Sequence, residues 1–169
     1  ISAFSLSSCG NSDNEAQSVA NVVSTVTISC AGDCTLASDE SFSDNTFEDV
    51  LKNNKNDYSY FFKNVRHIFE DDDITLSNNG ERQDKEYAFR GKPDYVNILK
   101  KGSVEAVTLA NNHSEDYGPE SLKDTKKTLY DSDIKYALNT ETAHFNIRGV
   151  KVGIIGLYQL DGSASEVLP

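Results

Sequence analysis

The sequence predicts an α/β fold, and three observations carry that expectation. Apolar or β-branched runs of strand length recur along the chain and close on turn residues. Segments with helical spacing lie between them. The links are short, so strand and helix alternate as they do when helices pack on a sheet.

The elements follow in order. Residues 1–21 are polar, rich in Ser and Asn and without periodicity, and are expected to be a tether ahead of a single domain over 22–169. Residues 22–29 are β-branched and close on Ala31-Gly32-Asp33, which predicts a first strand with Asp33 at its carboxyl end. Residues 38–57 are read as a loop holding one short helix. Tyr58, Phe61, Phe62, Val65, Ile68 and Phe69 recur every three or four residues, marking an amphipathic helix whose aromatic stripe packs in the core. A second strand is expected over 73–77, ahead of Asn78-Asn79-Gly80-Glu81, and residues 80–92 are charged and expected at the surface.

Pro93 suits the first turn of a helix running through Lys100, with Gly102 as its cap. Residues 104–109 form the third strand, 119–130 a helix with Leu122, Thr125 and Leu129 on one face, and 134–136 a further strand. Arg148-Gly149 then joins 144–147 to 150–157 as a hairpin that leads into a buried strand.

At 169 residues, 37% hydrophobic and 25% charged, the chain is globular in composition and long enough for one core. No run of about 18 apolar residues is present to span a bilayer. The net charge of -11 argues against a nucleic-acid partner, because polyphosphate would be repelled. A site for phosphate or carboxylate on such a chain needs a cation.

The three cysteines have different contexts. Leu6-Ser7-Ser8-Cys9 has lipobox spacing, which predicts lipidation at Cys9 and an exported, membrane-anchored protein; residues 10–15 then read as a polar tether. Only five residues precede that motif, too few for a charged region and an apolar core, so the expectation is a signal peptide that has lost its front. Cys30 and Cys34 flank Gly32-Asp33; they could pair as a disulfide in an exported protein, but nothing in the spacing demands it, and they are read first as small buried side chains.

The chemistry concentrates at strand ends. Asp33, Asn78 and the run Asn111-Asn112-His113-Ser114 follow three successive strands and meet at one sheet edge if those strands are neighbours. In open α/β sheets ligands bind in the crevice beyond the carboxyl ends of the strands. Carboxylate, carboxamide oxygen and imidazole are ligands for Mn, Mg, Zn or Fe. Beside a metal held by such groups, a histidine kept off the ion can donate a proton to a leaving oxygen. Taken singly, Asn111-Asn112 also reads as a turn bonded to its own backbone and His113 as a loop histidine. His67, within the aromatic stripe, reads as structural and His144 as a strand surface residue.

Several ordered motifs together resemble the bacterial capsule-synthesis family, the CapA and poly-γ-glutamate synthesis proteins of the metallophosphatase-like superfamily. They are Gly32-Asp33-Cys34-Thr35-Leu36, Asp72-Asp73-Ile74-Thr75-Leu76, and Tyr87-Ala88-Phe89-Arg90-Gly91 before Pro93. Leu109-Ala110-Asn111-Asn112-His113-Ser114, Asp116-Tyr117-Gly118 and Asp124-Thr125 complete the set. The resemblance implies a layered metallophosphoesterase-like α/β sandwich, of which this chain carries the N-terminal part. It also implies a divalent metal held by Asp33, Asn78 and Asn112, with His113 as the catalytic proton donor. Gly32, Asn111, Asp116 and Gly118 would shape the site.

The chain departs from the family in one motif: Asn78 is followed by Asn79-Gly80-Glu81 where the family has Asn-Leu-Glu, which puts a ligand role for Glu81 in doubt. Family members are also longer, and their later histidine-bearing motifs complete a two-metal centre that three histidines do not supply. The implied function is a surface lipoprotein on the extracytoplasmic face of the bacterial membrane. It would assist synthesis, export or anchoring of an anionic capsule polymer beside other membrane subunits, with metal-dependent hydrolase or transferase chemistry. The alternative is a non-catalytic module that binds polymer or partner proteins.

Overall fold

The computed structural model describes residues 2–6, 24–39, 41–78, 89–111, 114 and 117–158. Its strands are β1 (Ser2–Leu6), β2 (Val26–Asp33), β3 (Ser38–Asp39), β4 (Ile74–Asn78), β5 (Phe89–Arg90), β6 (Ala106–Thr108), β7 (Lys135–Ala137), β8 (Ala143–Ile147) and β9 (Val150–Ile154). Its helices are α1 (Phe47–Asn53), α2 (Arg66–Glu70), α3 (Val96–Lys101) and α4 (Pro119–Asp131), with 3-10 turns at Tyr58–Phe62 and Pro93–Tyr95.

The main sheet has the order β1-β2-β4-β6-β7, with β2, β4, β6 and β7 parallel and β1 antiparallel at one edge. Parallel strands added in one direction through right-handed crossovers put every connecting helix on one face. The core divides accordingly. Val107 and Tyr136 turn toward the helices, against Ile98, Leu99, Leu122 and Leu129. Their neighbours Ala106 and Ala137, with Val26 and Ile74, turn the other way against Ala143, Val152 and Ile154 of the β8–β9 hairpin. Period-two alternation thus yields three layers: helices, sheet and hairpin.

The hairpin turns through Arg148 and Gly149, both at positive φ (49° and 83°), the pairing a two-residue type I′ turn requires. Arg148 ties it to the amino-terminal edge of the sheet: its guanidinium grips the Asp73 carboxylate at 2.6 and 2.7 Å and also donates to Thr25 O. Asp73 accepts the Thr27 N–H as well, at 2.8 Å. None of the described helices is long and apolar enough to cross a membrane.

Four expectations change. Ser2–Leu6, read as tether, is a strand paired with β2; the open edge of β2 offers unpaired N–H and C=O groups that local polarity does not reveal. The first strand extends to Asp33 rather than ending at residue 29. The aromatic stripe is broken, with a 3-10 turn ahead of α2. Asp57 starts that turn by accepting the Ser59 N–H, and Phe62 is pinned against Gly102, where a Cβ would stand 2.6 Å from Phe62 Cγ. The stripe packs in the core as expected, with Phe62 and Phe69 buried and Tyr58, Phe61, Val65 and Ile68 half-buried. Finally, Gly102 does follow α3, but at φ -87°, so it is the close approach of Phe62 that calls for glycine there.

Candidate functional site

Four parallel strands end level. Asp33 of β2 lies opposite Asn78 of β4, Asn78 opposite Thr108 of β6, and Thr108 opposite Ala137 of β7. Asp33 reaches this row through a bulge. Ile28 and Cys30 stand opposite Ile74 and Leu76, so strict alternation would bring Gly32 opposite Asn78. The register slips between Cys30 and Asp33, one extra residue enters β2, and the carboxylate takes that position instead. Gly32 lies in the bulge with no atom within 4 Å of where a Cβ would stand.

The row is joined by side-chain hydrogen bonds. Asn78 Nδ2 donates to Asp33 Oδ1 at 2.6 Å, and Asn111 Nδ2 donates to Asn78 Oδ1 at 3.4 Å. Ser114 Oγ lies 3.3 Å from Asn111 Oδ1 and donates to Leu109 O. Asp33 is exposed, Asn78 half-buried and Asn111 buried.

Backbone contacts hold the loop that carries Asn111. Leu109 N donates to Ala137 O at 2.9 Å, Ala110 N to Thr108 Oγ1 at 3.1 Å, and Asn111 N to Leu109 O at 3.0 Å. The loop enters α4 through Gly118, whose φ of 84° favours glycine and whose carbonyl accepts the Ser121 hydroxyl at 2.7 Å.

Cys30 and Cys34 are free and half-buried. Burial pushes the Cys34 thiol above its ordinary range, and the adjacent Asp33 charge adds to this. Asp33 and Asn78 offer a carboxylate and a carboxamide oxygen, hard donors that suit Mg or Mn. That chemistry fits a divalent ion in part. Among the described residues no group of three or more His, Cys, Asp or Glu side chains is placed to hold a metal.

Asn112, His113, Asp116, Glu81 and Cys9 lie outside the described residues. His67 and His144 are exposed, on α2 and β8, and neither belongs to the strand-end row. Thr108, which braces the loop through the Ala110 N–H, was not singled out by sequence reasoning, and Ser114 was named only as a member of the run that follows the third strand. The signal available was a hydroxyl residue on each side of Asn111.

Next to the row, between α3 and α4, a cavity of about 440 Å³ is lined by Leu36, Leu99, Leu109, Ser114, Tyr117 and Leu129 among others. Leu109 and Ser114 line this cavity, and Ser114 also lies 3.3 Å from Asn111 Oδ1, so the cavity adjoins the row.

A family model described as "Bacterial capsule synthesis protein PGA_cap" matches residues 27–166, and so takes in every strand of the parallel sheet and the whole strand-end row. The chain belongs to this family. It is 27% identical over 115 residues to "Capsule biosynthesis protein CapA" of Bacillus anthracis, a match covering 57% of this chain and 28% of that protein. It is likewise 27% identical over 97 residues to "PGA biosynthesis protein CapA" of Bacillus subtilis (strain 168), covering 53% and 26%. The chain thus matches roughly a quarter of the length of these curated relatives. Membership accords with the layered architecture, whose parallel β2, β4, β6 and β7 with helices on one face fit the N-terminal part of a metallophosphatase-like domain.

Proposed function

We propose that this chain assists the synthesis, export or anchoring of an anionic capsule polymer of the poly-γ-glutamate type, with the strand-end row as its working site. The observation that carries the proposal is the level, hydrogen-bonded row Asp33, Asn78 and Asn111, within the segment shared with the capsule family. Asp33 and Asn78 would hold a divalent ion, with Asn112 adding a second carboxamide. The ion would supply Lewis acidity toward a phosphoryl or carbonyl oxygen. It would also offset the charge of an acidic chain meeting an acidic polymer.

His113 would donate the proton to the leaving oxygen. Thr108, Leu109 and Ser114 hold the loop that carries the run, and the adjoining cavity gives a substrate room beside it. Cys9 would anchor the protein by a lipid on the outer face of the membrane, among other subunits of the capsule machinery; the cut ahead of Cys9 would remove Ser2–Leu6, and with it β1, from the processed protein.

Metal content tests the enzyme reading. Protein purified without chelator should carry Mn, Mg, Zn or Fe above background, and Asp33→Ala should lose it. Wild-type polymer output from both Asp33→Ala and His113→Ala would overturn it. A second reading, a non-catalytic polymer- or partner-binding module, is favoured by Asn79-Gly80-Glu81 standing where the family has Asn-Leu-Glu. It predicts polymer binding that survives both substitutions. For the anchor, Cys9→Ala should release the protein from membranes; unchanged retention would count against lipidation.

A further inference from the structure

The cavity beside the row is built from segments that lead into and out of it. Leu36 stands three positions after Asp33, Leu109 two before Asn111 and Ser114 three after it, and all three line the cavity. A group attached to a reacting centre at the row therefore has this space beside it. Its volume of about 440 Å³ lies within the ~300–1,000 Å³ of small-molecule sites.

The walls are aliphatic. Leu99, Leu109, Leu122 and Leu129 are otherwise buried, and Leu36 and Val96 are half-buried. Three hydroxyls of the lining spend their protons on the main chain: Ser121 donates to Gly118 O at 2.7 Å, Thr125 to Ser121 O at 3.0 Å, and Ser114 to Leu109 O. Among the described lining residues Lys92 is the only cation, set against the carboxylates of Glu120 and Asp124, and its Nζ lies 2.8 Å from Glu48 Oε2. A carboxylate entering here would lose water without an unspent cation to meet it. That disfavours a polymer segment with a carboxylate on every residue. An uncharged aliphatic group is favoured instead, because its surface gains by leaving water.

We infer that the cavity is the apolar subsite of the strand-end row: it takes the aliphatic chain of an amphiphilic substrate whose phosphoryl or carbonyl head meets the ion at Asp33 and Asn78. The inference rests on the reading above that the row holds a divalent ion and works on such a head. It adds the class of group that the head carries, and keeps the polymer's own carboxylates outside the cavity.

Calorimetry of the full chain in Mg²⁺ with a series of alkyl phosphates, from methyl to hexyl, tests it. Affinity should climb by about two- to fourfold for each added methylene until the chain fills the cavity. Thr128→Phe puts a ring into the cavity from α4, away from the row, and should abolish the climb while methyl phosphate binds as in the wild type. Affinity that stays level along the wild-type series, or a climb that Thr128→Phe leaves intact, overturns the apolar subsite. The wild-type series needs no variant to fold. Mg²⁺-dependent binding that ignores chain length removes only this inference, whereas no Mg²⁺-dependent binding of any member removes the reading of the row with it.

Discussion

Replacing Gly156 by alanine puts a methyl group where the structure leaves no room. The new Cβ would stand 2.5 Å from Ala137 O, 2.7 Å from Thr108 Oγ1 and 2.9 Å from Ala137 C. To reach ordinary contact the carbonyl must retreat by roughly 0.9 Å. It is not free to do so, because Ala137 O accepts the Leu109 N–H at 2.9 Å and Asn139 N holds Gly156 O at 2.9 Å. Overpacking against fixed backbone costs about 1–3 kcal/mol. For a chain of this length each kcal/mol lowers Tm by about 2–4 °C, so Gly156→Ala should melt roughly 2–12 °C below wild type.

Circular dichroism melts measure this, with Gly32→Ala as the control. Gly32 has nothing within 4 Å of its would-be Cβ, so its variant should stay within about 0.5 kcal/mol of wild type or gain slightly. An unchanged Tm for Gly156→Ala, or equal damage from Gly32→Ala, would refute the account. Because the strained carbonyl also anchors Leu109, the variant should disturb the row as well as the fold.

Ile98, fully buried between the helices and the sheet, should lose about 2–5 kcal/mol on substitution by alanine. A urea midpoint close to wild type would contradict that packing. The Arg148 guanidinium, with the Thr27 N–H, holds the Asp73 carboxyl below the ordinary range. Its folded pKa is depressed, so its contribution is present above about pH 4 and is lost as pH falls through the lowered value. Asp73→Asn should therefore lower Tm at pH 7 and flatten the acid limb, and parallel curves from pH 7 to 2 would exclude the linkage. Because burial raises the Cys34 thiol, peptide-resolved alkylation there should lag behind free cysteine at pH 7 and accelerate only at distinctly alkaline pH. Fast labelling at neutral pH would show the thiol to be more open than its surroundings indicate.

Much of the architecture was legible where local pattern suffices. Arg148-Gly149 marked the hairpin, Pro93 and Gly102 bounded a helix, and Leu122 and Leu129 lay on the face that α4 buries. The aromatic stripe identified its core residues but not its break, because Phe62 is held by Gly102, forty positions away. Ser2–Leu6 was opaque for the same reason: its stabilising partner is the edge of β2, and nothing in five polar and apolar residues announces that partner.

The sequence by itself determined which residues face the core and which polar groups stand at strand ends, since spacing along one chain encodes faces and boundaries. Asp33, Asn78 and Asn111 could be picked out that way. Only the tertiary structure decided that they meet. The bulge that sets Asp33 opposite Asn78, the common level of four strands and the hydrogen-bonded line to Ser114 all depend on register between distant segments. Register is fixed by packing across the whole sheet, and a one-residue slip in β2 would have put Gly32 where the carboxylate stands.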